Sequence, residues 1–253
     1  IERDEARELL YSEREAHLTE YIAQQKEHLF TKRIYHTHHK AEKVMGFINE
    51  DLDNIDENNF RDVKYRISKY ANFISRVIYD MKWYNPPLQT IRNHIFRTDL
   101  NEVLSFIINN IFLRTSRQVS SIKFNTVLDE NLPAVSINEF VVWEIIEPII
   151  QNAIDHSDKE IINIKILTKY HPENHQSVII IEDNGKGIRE DLLEKNDSGV
   201  MRMFLENIST KAEGKNCGYG CYLAYEIAKR CGWELKAENS EAGGGRFILL
   251  INH

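Results

Sequence analysis

The chain has 253 residues, 42% of them hydrophobic and 28% charged, which is enough for one large domain or two small ones with real cores. A net charge of −7 is the opposite of the basic excess that nucleic-acid binding requires. No apolar run is long enough to span a bilayer, and the start has no signal-peptide pattern. Three cysteines, Cys217, Cys221 and Cys231, are an odd number without zinc-site spacing, which fits a reducing compartment better than a disulfide framework.

Residues 1 to about 57 contain no Pro, and Gly46 is their one Gly. Apolar residues recur there at three- and four-residue steps, through Phe30, Ile34, Ala41, Val44, Met45, Ile48, Leu52 and Ile55, the period of a long amphipathic helix. The abrupt start inside a charged helical pattern points to a fragment of a longer protein, with a sensor or membrane part upstream. The charge runs of residues 1–28 read as solvated coiled-coil faces. A polar break from Asp53 to Asn59 leads into a second periodic stretch, Phe60 to about Trp83, which stops at Asn85-Pro86-Pro87. Two long helices joined by a short turn form an antiparallel hairpin. Such a hairpin cannot bury its apolar stripe alone, so pairing into a dimeric four-helix bundle is expected.

The texture changes near residue 88. The boundary is therefore drawn between 1–87, helical, and 88–253, mixed. Asp99 caps a helix through about Thr115. Ile122–Leu128 reads as a strand and Pro133–Ile137 as a short one. Ser136 with Glu139 suits a capping box for a helix through about Ile154. Ile161–Thr168 and Gln176–Glu182 read as strands joined by a polar turn. Arg189–Cys217 is polar and without a clear period, a loop with short helical pieces. A helix over Tyr219–Cys231 precedes a final hairpin across Gly243-Gly244-Gly245. The fold class is α+β: a long-helix hairpin followed by an α/β sandwich with a mixed sheet and helices on one side.

Four pieces carry chemistry. The strand ending Val178–Ile181 stops on Asp183, with Gly185 and Gly187 following. A carboxylate beside bare backbone suits a base carrying an exocyclic amine, although a plain strand-to-turn exit has the same spelling. Asn152, on the helix before, offers a neutral carbonyl oxygen that can ligate Mg²⁺. Asn207–Lys211 lies in the loop, where Lys211 adds a cation and the loop can close over a triphosphate. Cys217-Gly218-Tyr219-Gly220 opens a helix, and free N–H groups there attract phosphate.

In this order the four motifs resemble the GHKL-type ATP-binding domain shared by sensor histidine kinases, gyrase-type ATPases, Hsp90 and MutL, over about residues 98–252. The upstream hairpin narrows the resemblance to the dimerisation and phosphotransfer module of the histidine kinases. The resemblance implies ATP and magnesium as cofactors. Asn152 matches the magnesium-binding Asn, and Asp183, Gly185 and Gly187 match the adenine-binding segment. His156 falls where the family often places an aromatic or His near the phosphates, and Thr210-Lys211 resembles the end of the lid. Gly218, Tyr219 and Gly220 fall in the second glycine motif, and Gly243–Phe247 in the closing glycine turn. The chain departs from the family pattern at Asn216, where Gly is usual, at Pro148, where many members carry Asn, and at Asp155, where Lys is common. Water-splitting relatives place a Glu base at the Pro148 position, so its absence favours transfer to a side chain over hydrolysis.

The family phosphorylates a His exposed on the first bundle helix, since an unprotonated imidazole nitrogen can attack the γ-phosphorus. His36, His38 and His39 are on offer. With Ile34 in the core His36 fits, and with Thr37 or His36 facing inward His38 or His39 does. The Glu or Asp that usually follows the acceptor is missing. The same three residues also suit a solvated polar face, or a metal held by His36 and His39 one turn apart. The expected protein is the cytoplasmic catalytic core of a homodimeric sensor histidine kinase that passes a phosphoryl group to an Asp of a response-regulator receiver domain. The alternatives are a signalling module without autokinase activity, which docks or dephosphorylates a regulator, and a clamp-type ATPase.

Overall fold

The computed structural model describes residues 14, 38–81, 91–113, 121–205, 208, 220–241 and 243–253. The chain divides into two compact units, Ile1–Pro86 and Pro87–His253.

In the first unit, helix α1 occupies residues 38–53 and α2 Phe60–Met81. Between them Asp56 Oδ1 accepts the N–H groups of Asn58 and Asn59, each at 2.8 Å, and Asn59 Oδ1 accepts that of Asp56 at 2.8 Å. These short polar side chains satisfy the turn's own backbone, which is why the polar run breaks the helix. Phe47 meets Tyr70 with ring centroids 5.7 Å apart, and Arg66 Nη2 donates to Asp51 Oδ1 at 2.6 Å. As the α1 partner advances the α2 partner recedes, so the helices run antiparallel. Val44, Phe47, Val63, Tyr70 and Phe73 are buried, and so is the Asp51 carboxylate at 2% exposure. The apolar set read from the sequence is therefore split: Val44 turns inward, while Met45, Leu52 and Ile55 stay exposed.

The second unit is a five-stranded sheet in the order β1-β2-β3-β5-β4, with β1 Ile122–Val127, β2 Ile162–His171, β3 Gln176–Asp183, β4 Glu234–Asn239 and β5 Gly245–Asn252. β1 and β2 are parallel and the other pairs antiparallel, giving a mixed sheet. Burial alternates along the strands: Ile162, Ile164, Ile166 and Thr168 on β2, and Ser177, Ile179 and Ile181 on β3, face the core. The helices are α3 Leu100–Ile107, α4 Glu139–Asp155, the single turn α5 Glu190–Leu193, and α6 Gly220–Cys231. The middle of α4 is buried nearly all round, because it is packed by α3, α6 and the sheet together. Cys221 and Cys231 are buried and neither is in a disulfide, and burial pushes the Cys231 thiol up to about 12. Among the described residues no helix is long and apolar enough to cross a membrane.

Three local expectations change. Asn138, not a Ser136–Glu139 box, caps α4: its side chain accepts the Phe140 N–H at 3.0 Å. Residues 133–137 form isolated bridges, Val135 to Thr98 and Ile137 to Arg92, instead of a strand. After α3 the chain widens into a π-helix over Ile108–Phe112. The spacing of Ile108, Ile111 and Phe112 suits an α- or a π-helix equally, so periodicity does not distinguish them.

Candidate nucleotide site

Asp183 ends β3, and glycines surround it. Its Oδ1 accepts the Gly185 N–H at 2.8 Å, and the Gly245 N–H also bonds the carboxylate. A Cβ on Gly244 would collide with the Asp183 carbonyl oxygen, and one on Gly245 would lie 3.0 Å from Asp183 Oδ2. A Cβ on Gly185 would press on Oδ1 at 2.9 Å. Only bare backbone fits this cradle. Burial raises the Asp183 carboxyl above the usual carboxylate range. The Gly185 and Gly245 N–H groups pull it back, Glu182 adds a further upward push, and His156 a downward one. The half-buried carboxylate thus keeps acceptor capacity beyond its two backbone bonds.

The end of α4 abuts this cradle. A Cβ on Gly185 would lie 3.7 Å from Ser157 Cα and 3.9 Å from the His156 carbonyl. His156 closes α4, its N–H bonded to the Asn152 carbonyl. Asn152 stands one turn earlier, half-buried, with Nδ2 donating to Cys221 Sγ at 2.7 Å. With the amide nitrogen committed there, Oδ1 is the end left to accept or ligate. Gly220 opens α6 against α4, and its Cβ would lie 3.3 Å from Pro148 Cβ.

Gly187 has φ +79°, and a Cβ on it would strike Asn239 Oδ1 at 2.7 Å. The described start of the long loop is not free coil: Phe204 is buried and stacks on Tyr225 of α6, with centroids 4.9 Å apart. Thr210, Lys211, Gly218 and Tyr219 lie outside the described residues, as does His36. In the helical unit His38 and His39 are exposed, and Glu42 serves both: Nδ1 of His39 lies 3.3 Å from Glu42 Oε2, and Nδ1 of His38 3.6 Å from Oε1. Among the described residues no three His, Cys, Asp or Glu side chains are grouped to hold a metal.

Sequence reasoning missed Asn239 and Cys221. Asn239 reaches its partner across 51 positions of chain and Cys221 reaches Asn152 across 69. The residues present fit an adenine nucleotide: the cradle is one that any side chain would fill, with one half-buried acceptor at its centre. They also fit a magnesium ion through a neutral amide oxygen.

Residues 138–253 match the family described as histidine kinase-, DNA gyrase B-, and HSP90-like ATPase. Among curated relatives, signal transduction histidine-protein kinase AfsQ2 of Streptomyces coelicolor is 35% identical over 78 residues, 31% of this chain and 14% of that protein. Cyanobacterial phytochrome B of Nostoc is 27% identical over 154 residues, 61% of this chain and 19% of that protein. The chain thus spans less than a fifth of the length of these relatives. The catalytic domain of histidine kinase ThkA superposes with a TM-score of 0.50 at 22% identity, covering 62% of this chain and 94% of that one. Full-length ShkA in complex with AMPPNP gives 0.52 at 14% identity, covering 87% and 45%. At these identities the structural likeness is one of fold. Together the matches support a sensor histidine kinase catalytic core.

Proposed function

We propose that this chain is an ATP-dependent protein-histidine kinase whose residues 88–253 bind Mg-ATP and whose residues 1–87 form the dimerisation and phosphotransfer hairpin. The carrying observation is the Asp183 cradle, a half-buried acceptor walled by Gly185, Gly244 and Gly245. Asp183 would accept the exocyclic amine of adenine, and the three glycines let the ring approach. Asn152 would hold magnesium through Oδ1, and His156 would stand near the phosphates. Thr210, Lys211, Gly218, Tyr219 and Gly220 would line the triphosphate end. Bound Mg-ATP supplies a γ-phosphoryl group whose charge the metal offsets.

A bundle histidine is the acceptor: an imidazole nitrogen forms the P–N bond as the bond to the ADP oxygen breaks. His36, His38 and His39 remain the candidates. Glu42 supports His39: a carboxylate taking the Nδ1 proton as a hydrogen bond, at 3.3 Å, leaves Nε2 with its lone pair outward, whereas His38 Nδ1 lies 3.6 Å from Glu42, beyond hydrogen-bond reach. Glu42 supplies, one turn on, the acidic neighbour that the sequence lacks at the next position. Exposed Met45, Leu52 and Ile55 support pairing of two hairpins into a four-helix homodimer. The phosphoryl group would then pass to an Asp of a response-regulator receiver domain in the cytoplasm.

Incubation with γ-labelled ATP is the test. Label that is acid-labile, base-stable and lost in one of the His36→Gln, His38→Gln or His39→Gln variants supports the reading. Nucleotide binding without any labelling overturns the kinase assignment.

A further inference from the structure

We infer that Asn239 is the positioning residue of the adenine-recognition turn. Its carboxamide grips the backbone of Ile188 and thereby fixes where the Gly185–Ile188 turn stands relative to Asp183. This rests on the nucleotide reading above and deepens it.

Asn239 is the last residue of β4, in register with Gly245 of β5. Its Oδ1 accepts the Ile188 N–H at 2.6 Å, and its Nδ2 donates to the Ile188 carbonyl at 2.8 Å. One side chain therefore satisfies both polar groups of one backbone residue outside the sheet. The pairing also fixes the amide's orientation, since the nitrogen can only donate and the oxygen only accept. Asp would keep the accepted bond and lose the donated one. An apolar residue would lose both.

Gly187 gives a second, independent observation. Its φ of +79° already favours glycine, and a Cβ there would meet Asn239 Oδ1 at 2.7 Å and the Gly243 carbonyl at 3.1 Å. The missing side chain of Gly187 thus makes room for Asn239 and the β4–β5 turn, whereas that of Gly185 makes room at Asp183. The two glycines of one motif do different work.

The same hairpin supplies Gly244 and Gly245 to the far side of Asp183. One strand pair consequently holds Asp183 directly and, through Asn239, the turn that follows it. Recognition of the base depends on the spacing between the carboxylate and the bare Gly185 backbone, and tolerances in such sites are about 0.5 Å. Adenine offers a donor to Asp183 where guanine offers an oxygen. Rejection of guanine therefore needs the turn held still, because a yielding site lets the oxygen move away from the carboxylate.

The test is calorimetric titration of wild type, Asn239→Ala and Asn239→Asp with adenosine, ADP, Mg-ATP and Mg-GTP. Loss of both bonds in Asn239→Ala should raise Kd about tenfold. The factor should be the same for adenosine, ADP and Mg-ATP, at full binding stoichiometry, with a reduced preference for ATP over GTP. Asn239→Asp, which keeps the volume and one bond, should show a smaller rise. A purely structural residue would lower the stoichiometry and leave Kd and the ATP/GTP ratio alone. That result, or a loss confined to the triphosphates, overturns the inference. A wild-type protein that binds no adenine ligand overturns the nucleotide reading itself, and the two failures are thus told apart.

Discussion

The amide nitrogen of Asn152 donates to the sulfur of Cys221 at 2.7 Å, tying α4 to the first turn of α6. A sulfur with lone pairs turned to the amide leaves Oδ1 as the outward end. Under the proposed role of Asn152, Cys221 therefore orients the magnesium ligand. Cys221→Ala should weaken the Mg²⁺-dependent part of ATP affinity by about three- to tenfold, the loss of one hydrogen bond's orienting effect. Affinity for metal-free adenosine should stay the same. Cys221→Ser, which keeps an acceptor, should recover most of the loss. Titrations with and without magnesium check this. Tighter magnesium binding in Cys221→Ala would mean the thiol competes for Oδ1.

Asp183 predicts two opposite pH trends. Burial raises its carboxyl, so the folded domain holds this proton more tightly than the unfolded chain. Between the ordinary carboxylate value and the raised one, the folded state binds more protons. Stability from this group is therefore full below that window and falls as pH rises through it. Asp183→Asn should accordingly raise Tm at neutral pH, with the gain vanishing in acid. Adenosine affinity of the wild type should run the other way, falling as pH drops through the raised value, because the protonated group loses acceptor capacity. Thermal melts and titrations across the acid range measure both.

Glycines that look alike in the sequence should differ in cost. Gly244→Ala drives a Cβ into the Asp183 carbonyl, so overpacking should cost about 1–3 kcal/mol and impair nucleotide binding. Gly199, at φ +76°, faces open space. Gly199→Ala should cost about 1–2 kcal/mol of backbone strain, leaving adenosine affinity intact. Denaturant melts and calorimetry compare the two.

In the helical hairpin, Arg66→Met removes the guanidinium bonded to the buried Asp51 carboxylate. Breaking a buried pair from one side should cost about 3–5 kcal/mol. Asp51→Leu combined with Arg66→Met should recover much of that, since the buried charge is then gone too. Chemical denaturation of the single and double variants gives the coupling.

The sheet was legible because its strands spell alternation: Ile162, Ile164, Ile166 and again Ile179, Ile181 mark one face. The Asp183-x-Gly185-x-Gly187 pattern was legible because backbone constraint writes itself as missing side chains. The partner that constrains the second glycine was not. Asn239 looks like any polar strand end, and only the β4–β5 register brings it to Ile188. The α4 cap was misplaced by two residues because Ser136 and Asn138 are both good caps, and the choice falls to the bridges that pin Val135 and Ile137. In the hairpin, helical period could not tell the face turned to the other helix from the face left open. Val44 and Met45 are adjacent in sequence, yet one is buried and the other 46% exposed.

The most direct measurement is equilibrium binding of adenosine and of ATP, with and without magnesium, to wild type, Asp183→Asn and Asn152→Ala. The account predicts that wild type binds both ligands and that Asp183→Asn loses affinity for both. It predicts that Asn152→Ala binds adenosine normally while losing the gain that magnesium gives to ATP. Wild-type affinity for Mg-ATP in both variants would contradict it.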